Sequence, residues 1–263
     1  MNRLNTLLTT AVATATLSLA AGTASAATLL ALSADGQLFK VDSASQKVTA
    51  TMATNSPSPL RGIDVRPANG MLYALGGDNQ LYTLDQATGA ASKVASLNKQ
   101  LPGSGQAVID FNPVADKLRM LAADGTNFRV NVETGEVVVD GSVAYAADGA
   151  FAGKSAQVVA GAYTNSYAGT QATSLYNFDI ASSSLMLQNP PNDGIQQVVG
   201  MVADGLKSAA MDIVSDGKGG NTAYLLAGTT LHTLDLATGK PTTLGEVADL
   251  PGNIIDIAVL PGM

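Results

Sequence analysis

Apolar and polar positions alternate along most of the chain. The runs LLALSADGQLFKVD (29–42), MLYALGGDNQLYTLD (71–85), LRMLAADGTNFRVN (118–131), SLYNFD (174–179) and TAYLLAGTTLHTLD (222–235) carry this period-two pattern, rich in Leu, Val, Tyr and Phe. That is how half-buried β-strands read. Asp35-Gly36, Asp78-Asn79 and Asp124-Gly125 interrupt them, residue types that tolerate the positive φ of tight hairpin turns. A second turn follows at Ala87-Thr88-Gly89, Glu133-Thr134-Gly135 and Ala237-Thr238-Gly239, then a further strand such as Lys47 to Met52 or Ser92 to Leu97. Each unit but the first is preceded by one more strand: GIDVRP (62–67), VIDFNP (108–113), AAMDIV (209–214) and a fainter one near Phe151 to Val159.

The units recur at a spacing set by Asp42, Asp85, Asn131, Asp179 and Asp235, which lie 43, 46, 48 and 56 residues apart. The first unit lacks a leading strand, and an unused copy of it, NIIDIAVLP (253–261), stands near the C-terminus. This pattern predicts an all-β fold, a β-propeller of five four-stranded blades closed by the C-terminal strand completing the first blade. A sixth blade would have to hide in the long step between Asp179 and Asp235, where Gln188 to Lys207 reads as an insertion.

The first residues change the picture of where the chain works. Met1-Asn2-Arg3 leads into an uncharged stretch with an apolar centre near Leu17-Ser18-Leu19-Ala20, ending in Ala24-Ser25-Ala26. A basic start, a modest apolar run and an Ala-x-Ala exit make residues 1–26 a signal peptide. Residues 27–263 are then one propeller domain, expected to be exported to the periplasm or the exterior as a monomer without membrane insertion. Thr10, Thr14, Thr16 and Ser18 break the run, which suits it poorly to spanning about 20 apolar residues of bilayer.

Composition then narrows the chemistry. With no Cys and His232 as its one histidine, the chain has no thiolate chemistry and no multi-histidine zinc site. Fourteen Lys and Arg against 21 Asp and Glu give a net charge of −7, so nucleic acid is not an expected partner.

Two segments resemble a known family. GIDVRPANGMLYALG (62–76) with QLYTLDQATGAASKV (80–94), and IDFNPVADKLRMLAADGTNFRVNVETG (109–135), are similar to successive blades of the bacterial domain of unknown function 4394. Val65 stands where that family usually has Phe, and Lys117 where it usually has Arg. The resemblance implies an exported, propeller-like protein and transfers no catalytic residue.

Two groups of residues are candidates for function. Asp64, Asp110, Asp212 and Asp256 hold the same place in four leading strands. A ring of carboxylates lining the channel would suit an all-oxygen guest, Ca²⁺ or Mg²⁺. The competing reading is structural, each carboxylate held between blades by backbone N–H groups or an arginine of the next blade, and repetition in four blades favours it. The second group is Asn112, Asp116, Arg119, Asn127, Arg129 and Asn131, with Arg66 nearby on the face of Asp64. Its arginines can grip a carboxylate or sugar acid, or form an interblade network with Asp64 or Asp110.

Other features carry less. His232 falls in the column of Phe39, Tyr82, Phe128 and Tyr176 and so replaces a packing aromatic. The stretch 216–221, DGKGGN, lacks the acids of a calcium loop and reads as a hairpin turn. Tyr163 to Tyr167 and Asn189-Pro190-Pro191-Asn192 mark irregular loops of the fourth unit. The sequence thus favours a non-catalytic binding or scaffold propeller with a small-molecule or protein partner. The alternative is a cation-dependent hydrolase, lyase or lactonase at the central channel.

Overall fold

The computed structural model describes residues 26–261; the expected leader, but for Ala26, lies outside them. In chain order the strands are β1 (Thr28–Ser33), β2 (Gln37–Asp42), β3 (Lys47–Ala53), β4 (Leu60–Val65), β5 (Leu72–Gly76), β6 (Gln80–Leu84) and β7 (Ala91–Ser96). There follow β8 (Val108–Asn112), β9 (Lys117–Leu121), β10 (Asn127–Asn131), β11 (Glu136–Val139), β12 (Ala144–Tyr145), β13 (Val158–Tyr163), β14 (Leu175–Asp179), β15 (Ser184–Gln188) and β16 (Ile195–Met201). The last are β17 (Ala210–Ser215), β18 (Asn221–Ala227), β19 (Thr230–Leu234), β20 (Pro241–Glu246) and β21 (Ile254–Leu260). They form five antiparallel sheets, a five-bladed propeller.

Blades two, three and five are consecutive four-strand meanders, β4 to β7, β8 to β11 and β17 to β20. The first blade runs β21-β1-β2-β3, so the C-terminal strand supplies its inner edge, with Leu30 opposite Ala258 and Leu32 opposite Asp256. The tight turns are where Gly and Asn were expected: Gly36 and Gly125 adopt φ of 80° and 87°, and Asn79 one of 64°, conformations that a Cβ-bearing residue other than Asn or Asp seldom takes.

The fourth blade corrects the sequence reading in three places. Its inner strand is β13, so most of the stretch expected as strand near Phe151 to Val159 is loop. Asp179 ends the second strand of its blade rather than the third. It joins the column of Asp42, Asp85 and Asp235 only because it makes the same turn, accepting a backbone N–H three residues on, here from Ser182. Finally, Gln188 to Lys207 is no insertion: it contains β16, the outer strand of this blade. The extra chain lies earlier, at 140–157, where β12 adds a fifth strand in parallel to β16.

Alternation gives every blade two buried faces, and side chains from neighbouring blades interlock between them. Blades one and two meet through Leu30, Leu32, Ile63 and Leu72, two and three through Leu75, Ile109, Phe111 and Met120. Blades four and five share Phe178, Met211 and Leu225, and five and one share Leu29, Leu226, Leu231 and Ile257. Each such side chain contributes about 1.5–3 kcal/mol on burial. The contact between blades three and four is different: its apolar cluster, among the described residues, is Val108, Leu121 and Val158 with the half-buried Val143 packed against them.

Because β21 gives the first blade its inner edge and closes the ring, ending the chain at Gly252 should abolish the single cooperative melt. Calorimetry of the truncated and full chains checks this; an unchanged transition would show that closure contributes little.

Candidate functional site

Inner strands β4, β8, β13, β17 and β21 surround the axis, and four carry an aspartate on the face turned to the next blade. In blade four that face offers Ala160 and Ala162 instead. Asp64, Asp110, Asp212 and Asp256 are 4 to 6% exposed, and each reaches across to the next blade's backbone. Ile63 N–H donates to Asp256 at 2.8 Å, Phe111 N–H to Asp64 at 2.6 Å and Tyr163 N–H to Asp110 at 2.9 Å. Val259 N–H donates to Asp212. Three of the four take a further N–H from the residue that follows them.

Backbone donors therefore hold these carboxylates, as the structural reading of the column expects. No arginine joins them: among the described residues the ion pairs run elsewhere. The acids also meet one another, with carboxylate oxygens of Asp64, Asp110 and Asp212 all within 4.8 Å. Burial raises all four carboxyls above the ordinary range. Neighbouring charge adds to this, chiefly Asp212 for Asp64 and Asp64 for Asp110. The Asp212 carboxyl is pushed up to about 6.

A cavity of about 310 Å³ opens onto this ring at the end of the axis where the inner strands finish. Asp64 and Asp212 line it, with Ser166, Tyr167, Ser215 and Asp216 around the mouth. Tyr167 comes from the irregular fourth-blade loop. Asp216 belongs to the turn between β17 and β18, where its carboxylate accepts the Lys218 and Gly220 N–H groups. That stretch is the hairpin turn its composition suggests.

The second candidate cluster separates into two. Arg66 pairs with Asp116 and, at 3.2 Å, with Glu133, joining blades two and three at their surface. Asn112 caps its own turn by accepting from Val114 and Ala115, and Asn131 does likewise for Glu133. Arg119, 1% exposed, lies in the seam between blades three and four. It donates to Tyr163 Oη at 3.1 Å, Asn127 Oδ1 at 2.7 Å, Asn192 Oδ1 at 2.7 Å and the Asp140 carboxylate. Arg129 grips Asp140 with two hydrogen bonds, at 2.7 and 2.8 Å. Burial raises the Asp140 carboxyl, but the hydrogen bonds of Arg129 and Arg119 more than offset it and hold it low.

The interblade network of these arginines thus runs to Asp140, and not to Asp64 or Asp110. The reason is direction: Arg119 stands opposite Asp110 across the β8–β9 ladder, yet its guanidinium turns outward to the acid that follows β11. Asn127 and the Asn189–Asn192 loop complete the seam, with Asn127 Nδ2 donating to Gly141 O and Pro191 O. Deeper still, Asn177 donates to Gln188 and Gln196. Sequence reasoning missed Asp140, Asn177, Gln188 and Gln196. The available signal was polarity at positions of β14 and β15 where strands of the other blades carry apolar residues. His232 donates to or accepts from Thr243 at 3.0 Å and faces no carboxylate cluster.

Two outcomes follow from this geometry. Arg119→Gln leaves Asp140 buried without its inner partner and should cost about 3–5 kcal/mol. Arg129→Gln, whose side chain is 35% exposed, should cost no more than about 1 kcal/mol; urea titration of both variants checks the contrast. The raised carboxyls set a pH trend. The folded ring keeps protons that the unfolded chain has released above about pH 4, so stability is full below that point and falls as pH rises through 6. Thermal melts in chelator between pH 4 and 7 should show the decline, and Asp64→Asn should flatten it.

The family model described as Domain of unknown function (DUF4394) matches residues 37–258. Among solved structures, a protein of unknown function from Bacteroides thetaiotaomicron VPI-5482 superposes with a TM-score of 0.53 at 18% identity. That match covers 89% of this chain but only 64% of the other. A protein of unknown function from Bacteroides caccae gives 0.44 at 9% identity, covering 90% of this chain and 100% of its own. An auxiliary nutrient binding protein from Bacteroides ovatus ATCC 8483 gives 0.43 at 14%, covering 74% and 55%. No curated protein matches. A five-bladed ring and a family match over most of its length lead to one assignment: the chain belongs to the domain of unknown function 4394 family.

Proposed function

We propose that the protein is a non-catalytic binding propeller, exported and monomeric, whose ligand enters the axial cavity and brings positive charge to the acidic ring. The observation that carries this is the convergence of Asp64, Asp110 and Asp212 from three blades within 4.8 Å, two of them, Asp64 and Asp212, lining an open cavity. Buried carboxylates without a basic partner either keep their protons or take a cation. Oxygen-only donors suit Ca²⁺ or Mg²⁺, and the mouth lined by Ser166, Tyr167 and Asp216 leaves room for an organic ligand above the ion.

A second reading places cation-dependent hydrolase, lyase or lactonase chemistry in the same cavity. It draws on Asp212, whose carboxyl near 6 lies in the range useful for general acid–base catalysis. Turnover of a lactone, glycoside or peptide that disappears in Asp212→Asn would favour it.

Thermal melts after chelation, then with millimolar Ca²⁺ or Mg²⁺ at pH 7.5, test the binding proposal. A cation at 100 times its Kd adds about 2.7 kcal/mol, on the order of 5–10 °C for a domain of this size. Asp212→Asn should raise the cation-free melting temperature and remove the cation's increment. No shift with either ion would overturn cation binding and leave the ring as interblade scaffolding.

A further inference from the structure

The opposite end of the axis, where the inner strands begin, carries a second cavity of about 440 Å³. It is separate from the acidic ring and shares none of its lining residues. Gln106 lines it and links two blades, its side-chain amide donating to Val159 O of blade four at 2.8 Å and Ala209 O before blade five at 3.0 Å. Val108, Val158, Val159, Ala123 and Pro102 give the cavity an apolar wall.

Arg61 belongs to the polar part of that wall and is itself only 4% exposed. Its guanidinium donates to Gly105 O at 2.8 Å, Leu101 O at 2.9 Å and Pro102 O at 2.8 Å. All three acceptors are neutral carbonyls. Among the described residues no carboxylate lies within ion-pair distance of it. The three bonds use one N–H on each nitrogen, and a guanidinium has five, so one N–H on each terminal nitrogen is unspent. Gly103, at φ +79, keeps side-chain atoms off the guanidinium: a Cβ there would stand 3.5 Å from Nη2. A buried cation is ordinarily paired with an anion. The other three buried or half-buried arginines of the propeller, Arg66, Arg119 and Arg129, each have their acid.

We propose that this cavity is a second ligand site, taking a small molecule with a carboxylate on Arg61 and an apolar body against Val108, Val158 and Val159. A guanidinium with one N–H free on each terminal nitrogen can donate two parallel hydrogen bonds to one carboxylate, and the apolar wall selects a hydrocarbon chain over a sugar. Asp124 also lines the cavity and opposes anion entry. It sits exposed at the rim, its carboxylate accepting Thr126 N–H, so it weakens binding without filling the site.

The test titrates hexanoate, hexanamide and hexylamine into the full chain by calorimetry at pH 7.5 in chelator. Hexanoate should bind at least tenfold more tightly than either neighbour. Asp124→Asn should tighten hexanoate several-fold, and Ala123→Phe, which puts a ring in the cavity and leaves the Arg61 side chain itself unchanged, should abolish binding at an unchanged melting temperature. Arg61→Gln should abolish it too, and where that variant fails to fold, Ala123→Phe carries the test. Equal binding of the three probes, or hexanoate binding that survives Ala123→Phe, would overturn the proposal and leave Arg61 as a clamp on the 101–105 loop.

Discussion

A propeller stands or falls on how one blade recognises the next, and here the link is a buried carboxylate reaching across to a backbone N–H. Ile63, Phe111, Tyr163 and Val259 each donate to an aspartate of the preceding blade. Apolar interlocking supplies most of the stabilisation between blades but tolerates sliding, since hydrophobic contact is non-directional. A hydrogen bond from a strand N–H to a neighbouring blade's carboxylate is directional and fixes the register of neighbouring inner strands. The same choice assembles negative charge on the axis, because five-fold arrangement brings what each strand points inward close together. Register and electrostatic strain are two results of one residue.

The seam between blades three and four shows what happens when that scheme is altered. Blade four has alanines on its forward face, and on its backward face Gly161 lies so close to Asn177 that any Cβ would overlap its Oδ1. Apolar side chains give way to Arg119, Asn127, Tyr163, Asn177, Gln188 and Gln196, all nearly inaccessible. Asp140 neutralises the arginine, so the network is paired as a buried ionic group requires. The inserted segment 140–157 supplies both that acid and Tyr145, whose hydroxyl donates to Asp179 at 2.8 Å. Insertion and polar seam are therefore a single departure from the repeat.

Legibility in the sequence follows the same division. Blades one, two, three and five were readable because period-two alternation and Asp-Gly or Asn turns are local signals, and the displaced strand 254–260 was readable as an unpaired copy of a repeat. Blade four was not, since Asp179 makes the same turn as Asp85 while ending a different strand, and a local turn signature carries no information about strand rank. The acidic column was visible as a repeated position and readable as a ring, but which three of its carboxylates meet was not, for closeness across the axis depends on ring closure. Arg61 gave no signal at all: its neighbours 101–105 are distant in sequence, and carbonyl acceptors have no residue identity to read.

Closure through β21 has a consequence for how the molecule comes to exist. Asp35 and Asn253, 218 positions apart, hydrogen-bond across that closure, and β1 finds its inner partner only in a segment that follows the other four blades in the chain. Contacts of such sequence separation slow folding, because their loop-closure entropy is met before they reward it. Blades two to five are each local meanders able to form early, while the first waits with Leu29 and Leu30 uncovered. The ring is thus a structure whose assembly has a definite last step, and an interval of vulnerability to aggregation that ends when that step is taken.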